Sequence, residues 1–276
     1  MKSLVHLSDL HFGRTDRDVV AAIVPHVHSL TPDVVVVSGD LTQRAKPDEF
    51  RQARAFLDTL PRPQIVVPGN HDVPLYNVFQ RFAQPLHKYC RFITDDLTPF
   101  YSDSEIVVAG INTARSLTFK DGRVNEKQMQ ALHARFVPLD GSLMKIVVTH
   151  HPFDLPEGND SDRVVGRAEK AMEVFRHSGA DILLSGHLHV SHTGNSAGRY
   201  KLDGYAALII QAGTATSTRG RGETNSFNQL VIDGDDVRID RWGWQAHEGA
   251  FQVAHSESFR YTGSAWKLLD ATDLVA

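Results

Sequence analysis

The sequence predicts an α/β protein in which two mixed β-sheets lie face to face with helices outside. Three observations favour this class. Short, continuous apolar runs recur along the chain, which is typical of strands covered on both faces. Helical patterns separate several of these runs at intervals of roughly 30 to 40 residues, the size of a βαβ unit. From about residue 205 the strand patterns continue without helices, and we expect them to form mainly a second, largely antiparallel sheet with a C-terminal hairpin.

The predicted strands are rich in β-branched residues and end at turn residues or polar side chains. In the first part of the chain they are SLVHLSD, DVVVVSGD, QIVVPGNHD, EIVVAGIN, KIVVTHHP, DILLSGHLH and ALIIQAGT. Three more follow: SFNQLVID, DVRIDRWGWQ and AFQVAHSESFRY. The letters DGDD and HEG between these last three are turn signals and predict tight connections.

Four helices are predicted from their end signals. Residues 15–30 open with a T-x-x-D capping signature and contain Pro25, which we expect to kink or end the helix. Residues 47–60 begin with proline at a probable first helical position, and residues 125–136 open with N-x-x-Q. Residues 167–178 run into Gly179, which predicts the stop.

Composition limits the classes of protein. The 276 residues are 41% hydrophobic and 22% charged, without a linker, repeat or charge block, so we expect a single domain over 1–276. The net charge of −4 does not favour a protein that wraps nucleic acid, although Arg219 and Arg221 form a local basic patch. One cysteine, Cys90, excludes an internal disulfide. No apolar run suits a signal peptide or a membrane span, so a cytoplasmic protein is expected.

Polar side chains that can bind a metal ion follow the predicted strands. They are Asp9, His11, Asp40, Asn70, His150, His187 and His189, with His71 beside Asn70. Because the carboxyl ends of parallel strands meet at one edge of a sheet, we expect these groups to converge. Oxygen and imidazole ligands without thiolates suit Mn²⁺ or iron, with Zn²⁺ as an alternative. These are more ligands than a single metal ion with an open coordination position can use. They therefore predict two ions about 3.5 to 4 Å apart, bridged by a carboxylate.

The ordered motifs D-x-H, G-D, G-N-H-D, H and G-H-x-H, spread over residues 9–189, resemble the calcineurin-like metallophosphoesterase superfamily. With THHP at 149–152 and the tail AGTATSTRGRGETNSFNQLVI, the chain resembles in particular the bacterial class III cyclic-nucleotide phosphodiesterases. The resemblance implies a four-layer αββα sandwich. It also implies that one ion is held by Asp9, His11 and His189 and the other by Asn70, His150 and His187. Asp40 would then bridge the two.

The implied reaction is in-line attack of a metal-bridging hydroxide on phosphorus. Around it we expect His71 to serve the leaving group, oriented by Asp72, with His192 and His151 as lesser candidates. His192 lies within a loop-like cluster of Ser191, Thr193, Gly194, Asn195 and Ser196, so we expect the strand to have ended and the His192 ring to face the substrate. Asn112 and Arg115 are expected at the rim, and Arg115 is the one extra cation predicted there. The polar loop 154–163 is long enough to act as a lid.

We therefore expect a hydrolase of small phosphodiesters, with 3′,5′-cyclic nucleotides and glycerophosphodiesters as candidate substrates. A phosphomonoesterase, a phosphoprotein phosphatase and a nuclease of the SbcD type are the alternatives, although the nuclease lacks an obvious basic track. A scaffold without turnover disagrees with the complete ligand set. Neither a membrane nor a nucleic acid is expected as a partner. A homodimer stays open, since Trp242, Trp244, Phe251 and Phe259 suit a core or an interface equally.

Overall fold

The computed structural model describes residues 1–75, 78–115, 121–156, 164–219 and 222–270. Two mixed sheets dominate it. The first sheet has seven strands in the order β13-β12-β11-β10-β1-β2-β3. These are β1 (Lys2–Leu7), β2 (Val34–Ser38), β3 (Gln64–Val67), β10 (Ser226–Asp233), β11 (Asp236–Gln245), β12 (Ala250–Tyr261) and β13 (Trp266–Leu268). The second has six in the order β4-β5-β6-β7-β9-β8. These are β4 (Phe100–Ser102), β5 (Ile106–Gly110), β6 (Met144–Val148), β7 (Ile182–Ser185), β8 (His192–Asn195) and β9 (Leu208–Gln211).

The two sheets pack face to face, with helices on both outer faces. In β2, Val34 and Val36 pack in the cluster between the sheets, and Val35 and Val37 pack in the cluster under the helices. Successive side chains of a strand point to opposite faces, so a run with both faces covered must be apolar throughout. The predicted αββα layering is confirmed.

The helices are α1 (Arg17–Ser29), α2 (Pro47–Thr59), α3 (Val78–Ala83), α4 (His87–Phe92), α5 (Glu126–Phe136) and α6 (Ala168–Ser178). The predicted ends of α2, α5 and α6 are confirmed, with Asn125 capping α5 and Gly179 ending α6 in the left-handed region. The cap of α1 is Asp16 instead of Thr15, and Pro25 lies inside α1 without ending it. The six-residue α3 and α4 were not predicted, because one and a half turns carry too little periodicity. In the described segments no helix is long and apolar enough to cross a bilayer.

The C-terminal strands do not form a sheet of their own. β9 joins the second sheet beside β7, and β10 pairs antiparallel with β1, so that β10 to β13 extend the first sheet. Apolar periodicity shows that a strand is buried but does not identify its partner, which explains the difference. The boundaries of β10, β11 and β12 agree with the predicted runs, and β11 and β12 form the expected hairpin. Their aromatic residues pack in the cores.

Candidate metal centre

The predicted ligands come from both sheets instead of one sheet edge. In the first sheet, Asp9 and His11 follow β1, Asp40 follows β2 and Asn70 follows β3. In the second, His150 follows β6, and His187 and His189 follow β7. These strands are parallel within their sheets, so their carboxyl ends lie at common edges. The structure brings the two edges together and places all seven side chains in one cluster, in which five are buried and Asn70 and His187 are partly exposed.

A first group of ligand atoms surrounds one carboxylate oxygen. Asp9 Oδ1 lies 3.5 Å from His11 Nε2 and 3.5 Å from His189 Nε2, and the two ring nitrogens are 3.4 Å apart. Two ligands that bind one ion at about 2.1 Å lie roughly 3.0 to 3.4 Å apart in tetrahedral or octahedral geometry. The spacing is therefore close to that of a bound cation's shell.

A second group surrounds His150. Its Nε2 lies 3.1 Å from Asn70 Oδ1, 3.3 Å from His187 Nδ1 and 3.4 Å from Asp40 Oδ1. The other carboxylate oxygen of Asp40 is 3.7 Å from His11 Nε2, in the first group. Asp40 thus contacts both groups, and only 1% of its surface is exposed.

The chemistry of the donors fits a metal ion. Asp9 is fully buried, and its Oδ2 accepts hydrogen bonds from Ser8 Oγ at 2.7 Å and from the amide of His187 at 2.9 Å. Its Oδ1 has no hydrogen-bond donor among the described residues. A buried carboxylate oxygen without a donor is costly unless a cation binds it. The first group therefore needs a positive partner.

Two histidines are held in the orientation that metal ligands need. His150 Nδ1 lies 2.7 Å from the carbonyl of Ser38, to which it donates, and His189 Nδ1 lies 2.7 Å from Thr214 Oγ1. A partner on one ring nitrogen sets the ring's position and leaves the other nitrogen for the ion. In both histidines the nitrogen left over is the one that points into its group.

The backbone under the cluster is strained. Five of the predicted ligands have φ between 49° and 76°: Asp9, His11, Asp40, His187 and His189. This left-handed conformation costs a non-glycine residue on the order of 1 to 2 kcal/mol. It persists where the surrounding structure enforces it, and such residues gather at functional sites. Their concentration here supports a functional role.

The two carboxyls are held in the ionised form. Burial alone would raise the pKa of Asp9, but His189 and His11 outweigh it and hold that pKa below its usual value. Asp40 is likewise buried, and His150 and His71 bring its pKa well below the usual range. Burial lowers the pKa of His150, whereas the Asp40 carboxylate raises it to about 9. Both carboxyls are therefore deprotonated at neutral pH, as metal ligands must be.

His71 lies at the mouth of the cluster, and its orienting partner differs from the predicted one. Its Nδ1 donates to the carbonyl of Gln43 at 2.8 Å, while its amide donates to Asp40 Oδ1 at 2.8 Å. The expectation that Asp72 orients the ring is wrong. Asp72 is buried and accepts hydrogen bonds from the amides of Leu41, Thr42 and Gly69, so its carboxylate ties two loops together.

Arg219 was missed as a site residue, although the sequence analysis noted it as part of a basic patch. Its Nη1 lies 3.0 Å from His71 Nε2. The expected extra cation, Arg115, instead donates to Gln128 Oε1 at 2.7 Å and to the carbonyl of Ala114. The basic pair in STRGRG was the available signal, but nothing in the letters indicated that the loop folds back onto His71.

The structure places some of the remaining predicted residues in the cluster and others outside it. His151 lies in the cluster, with its ring centroid 4.7 Å from that of His187 and its Nδ1 2.8 Å from Thr113 Oγ1. Asn112 is buried, and its side chain accepts the amide of Ala114. The loop expected around His192 is instead strand β8 (His192–Asn195), which pairs antiparallel with β9. His192 Nε2 lies 3.8 Å from Asp154 Oδ2, and His192 belongs to none of the candidate metal groups in the described ranges. Its role in turnover stays a prediction. Most of the loop 154–163, from 157 on, lies outside the described residues.

Comparisons with known proteins identify a family and show a shared fold. The family model described as calcineurin-like phosphoesterase matches residues 2–191. Glycerophosphodiester phosphodiesterase GpdQ of Enterobacter lignolyticus is 36% identical over 80 residues, covering 25% of this chain and 29% of that protein. A probable cyclic nucleotide phosphodiesterase of Synechococcus sp. is 24% identical over 198 residues, 68% of this chain and 73% of that protein. Purple acid phosphatase PPD1 from yellow lupin shares the fold, with a TM-score of 0.71 at 13% identity over 100% of this chain and 55% of that one.

Proposed function

The chain belongs to the calcineurin-like phosphoesterase family, and from this premise we propose that it is a two-metal hydrolase of small phosphodiesters. The observation that carries the proposal is the position of Asp40. Its two oxygens lie 3.4 Å from His150 Nε2 and 3.7 Å from His11 Nε2, so one buried carboxylate faces both groups of ligand atoms. Paired metal sites that share a ligand are a common solution for phosphoester hydrolysis.

In the proposed site Asp9, His11 and His189 hold one ion and Asn70, His150 and His187 the other, with Asp40 shared. When bound, two such ions supply a hydroxide nucleophile near neutral pH and positive charge for the phosphoryl oxygens. Mn²⁺ and iron are the proposed metals, because the ligands are oxygen and imidazole without thiolate, and Zn²⁺ is the alternative.

The chain's own residues position the reaction. His71 Nδ1 donates a hydrogen bond to the carbonyl of Gln43, which leaves Nε2 as the atom that can face a substrate. We propose that His71, when its Nε2 also carries a proton, donates that proton to the leaving oxygen of an in-line displacement, on the side opposite the nucleophile. The ring of His151 lies 4.7 Å from that of His187, and we propose that His151 lies beside the substrate on the side opposite His71.

The proposed substrates are diesters, with 3′,5′-cyclic nucleotides and glycerophosphodiesters as candidates. Support comes from two relatives, one called a probable cyclic nucleotide phosphodiesterase and the other a glycerophosphodiester phosphodiesterase. The matched segments are partial or of modest identity, and surrounding loops set selectivity on a shared fold. A cytoplasmic location and a homodimer stay predictions as well.

A turnover panel tests the proposal. The protein is loaded with Mn²⁺ and offered cyclic AMP, bis(p-nitrophenyl) phosphate, p-nitrophenyl phosphate and single-stranded DNA. We expect kcat/KM for bis(p-nitrophenyl) phosphate to exceed that for p-nitrophenyl phosphate at the same pH, with Asp40→Ala as the inactive control. A higher value for the monoester would move the assignment to a phosphomonoesterase, and no turnover of any ester would overturn it.

A further inference from the structure

We propose that Arg219 binds a non-bridging oxygen of the substrate's phosphate. In the free protein the same guanidinium is hydrogen-bonded to His71, and binding of the phosphate replaces this contact. The inference rests on the proposed function and deepens it, because it adds a cation of the chain to the site. No motif of the metal cluster includes Arg219.

The loop that carries Arg219 is fastened to the segment that carries His11. Thr216 Oγ1 donates to the carbonyl of Leu10 at 2.7 Å, and the amide of Thr218 donates to the carbonyl of Arg14 at 3.1 Å. Asn225 Nδ2 closes the loop on the carbonyl of Ser217 at 2.9 Å. A group held by several hydrogen bonds to one segment keeps its position relative to that segment. Arg219 is therefore placed with respect to the first metal group.

The guanidinium points at the site. Arg219 Nη1 lies 3.0 Å from His71 Nε2, and the ligand atoms of His71, His11 and Asp40 lie within 4.8 Å of one another. Because His71 Nδ1 donates to Gln43, its Nε2 is the acceptor for Arg219. The arginine is thus one hydrogen bond from the candidate metal centre.

The charge of Arg219 has no ion-pair partner among the residues that the structure describes. Over the described ranges, no carboxylate lies within 4.0 Å of its guanidinium nitrogens. Two bound cations would repel a guanidinium at this position, whereas an anion held between them would attract both. Phosphate oxygens match the planar fork of an arginine better than the point charge of a lysine. The arrangement is therefore suited to a phosphate that lies between the metal centre and Arg219.

Binding of the phosphate has a second effect under this proposal. When Arg219 turns to a phosphoryl oxygen, it frees His71 Nε2 to take up the proton that it would donate to the leaving oxygen. One side chain then links occupation of the site to the availability of His71. The resting contact and the bound contact are alternatives for the same guanidinium.

The test measures binding of inorganic phosphate to the Mn²⁺-loaded protein by calorimetry. We expect Arg219→Ala to raise the Kd about 10- to 100-fold, since a charge-assisted hydrogen bond contributes roughly 1.5 to 3 kcal/mol. Arg219→Lys should fall between wild type and Arg219→Ala. The matched control is Arg238→Ala, which removes one arginine from β11, where it pairs with Asp240, and should leave the Kd unchanged. Metal content should stay at the wild-type value in all three variants.

A double-variant cycle separates phosphate binding from a positioning effect on His71. In a His71→Ala background, Arg219→Ala should still weaken phosphate binding by a similar factor. If its effect disappears there, Arg219 acts through His71 and the proposal is wrong. An unchanged Kd in Arg219→Ala, loss of metal, or a wild-type protein that binds no phosphate would also overturn it. The titration is independent of turnover, so an inactive wild type sinks the proposed hydrolysis while the role of Arg219 is still decided.

Discussion

Replacing Gly69 by alanine should disable the site through one misplaced carboxylate. Gly69 has an ordinary φ of −103°, so an added methyl group is opposed by lack of space and not by backbone strain. A Cβ built there lies 2.1 Å from Asp40 Oδ1 and 2.3 Å from the amide nitrogen of Asp40. Relief to ordinary van der Waals contact requires a movement of about 1.3 Å, and because the backbone of Asp40 is involved, a change of rotamer does not suffice.

The size of that movement sets the expected loss. A misplacement of about 1 Å in a preorganised site can cost on the order of 100-fold in kcat/KM, equivalent to roughly 2.7 kcal/mol. Overpacking should also lower the free energy of unfolding by about 1 to 3 kcal/mol. We therefore expect Gly69→Ala to bind less metal and to lose about 100-fold or more in kcat/KM.

The assay combines elemental analysis, turnover of bis(p-nitrophenyl) phosphate at saturating Mn²⁺, and thermal unfolding in chelator. The control is Gly198→Ala, because a Cβ at Gly198 meets no atom within 4 Å. Wild-type metal content together with kcat/KM within threefold of wild type would refute the reasoning. A variant that is inactive but as stable and as metal-loaded as wild type would show that Asp40 moves without serving as the shared ligand.

Three further predictions concern single groups. Asp40→Ala should lose most bound metal and nearly all turnover, and two ions per chain by elemental analysis would contradict the shared-ligand assignment. His71→Ala should retain metal and lose most activity with poor leaving groups, which a leaving-group series measures, with equal losses throughout counting against it. Burial raises the pKa of Asp181 to about 6, so its carboxyl contributes stability at low pH that is lost as the pH rises through 6. Asp181→Asn should therefore raise the unfolding free energy by about 1 to 2 kcal/mol at pH 8 and by less at pH 5, and a pH-independent gain in thermal unfolding would exclude this cause.

The sequence predicted what local signals encode. Asn125 and Gly179 mark helix ends because caps depend on neighbouring residues, and the polar side chains after β1, β2, β3, β6 and β7 stand out against apolar runs. Partners distant in the chain were not encoded in this way. The pairing of Ser3 with Val231 and the contact of Arg219 with His71 join segments more than 140 residues apart, and no periodicity reports them. The partner of the His71 ring was missed for another reason. It is the backbone carbonyl of Gln43, and because every residue has such a carbonyl, the sequence does not single this one out.

Because the ligands come from two sheets, the parts of the metal site come together at different stages of folding. Asp9 and His11 are synthesised early, yet the third side chain of their group, His189, follows 178 residues after His11. Contacts of such sequence separation form late, after the chain entropy of the intervening segments has been lost. An ion bound by this group would therefore need the closed sandwich, and a chain released before residue 189 lacks the third ligand of the group. Conversely, an ion bound at both edges would fasten one sheet to the other.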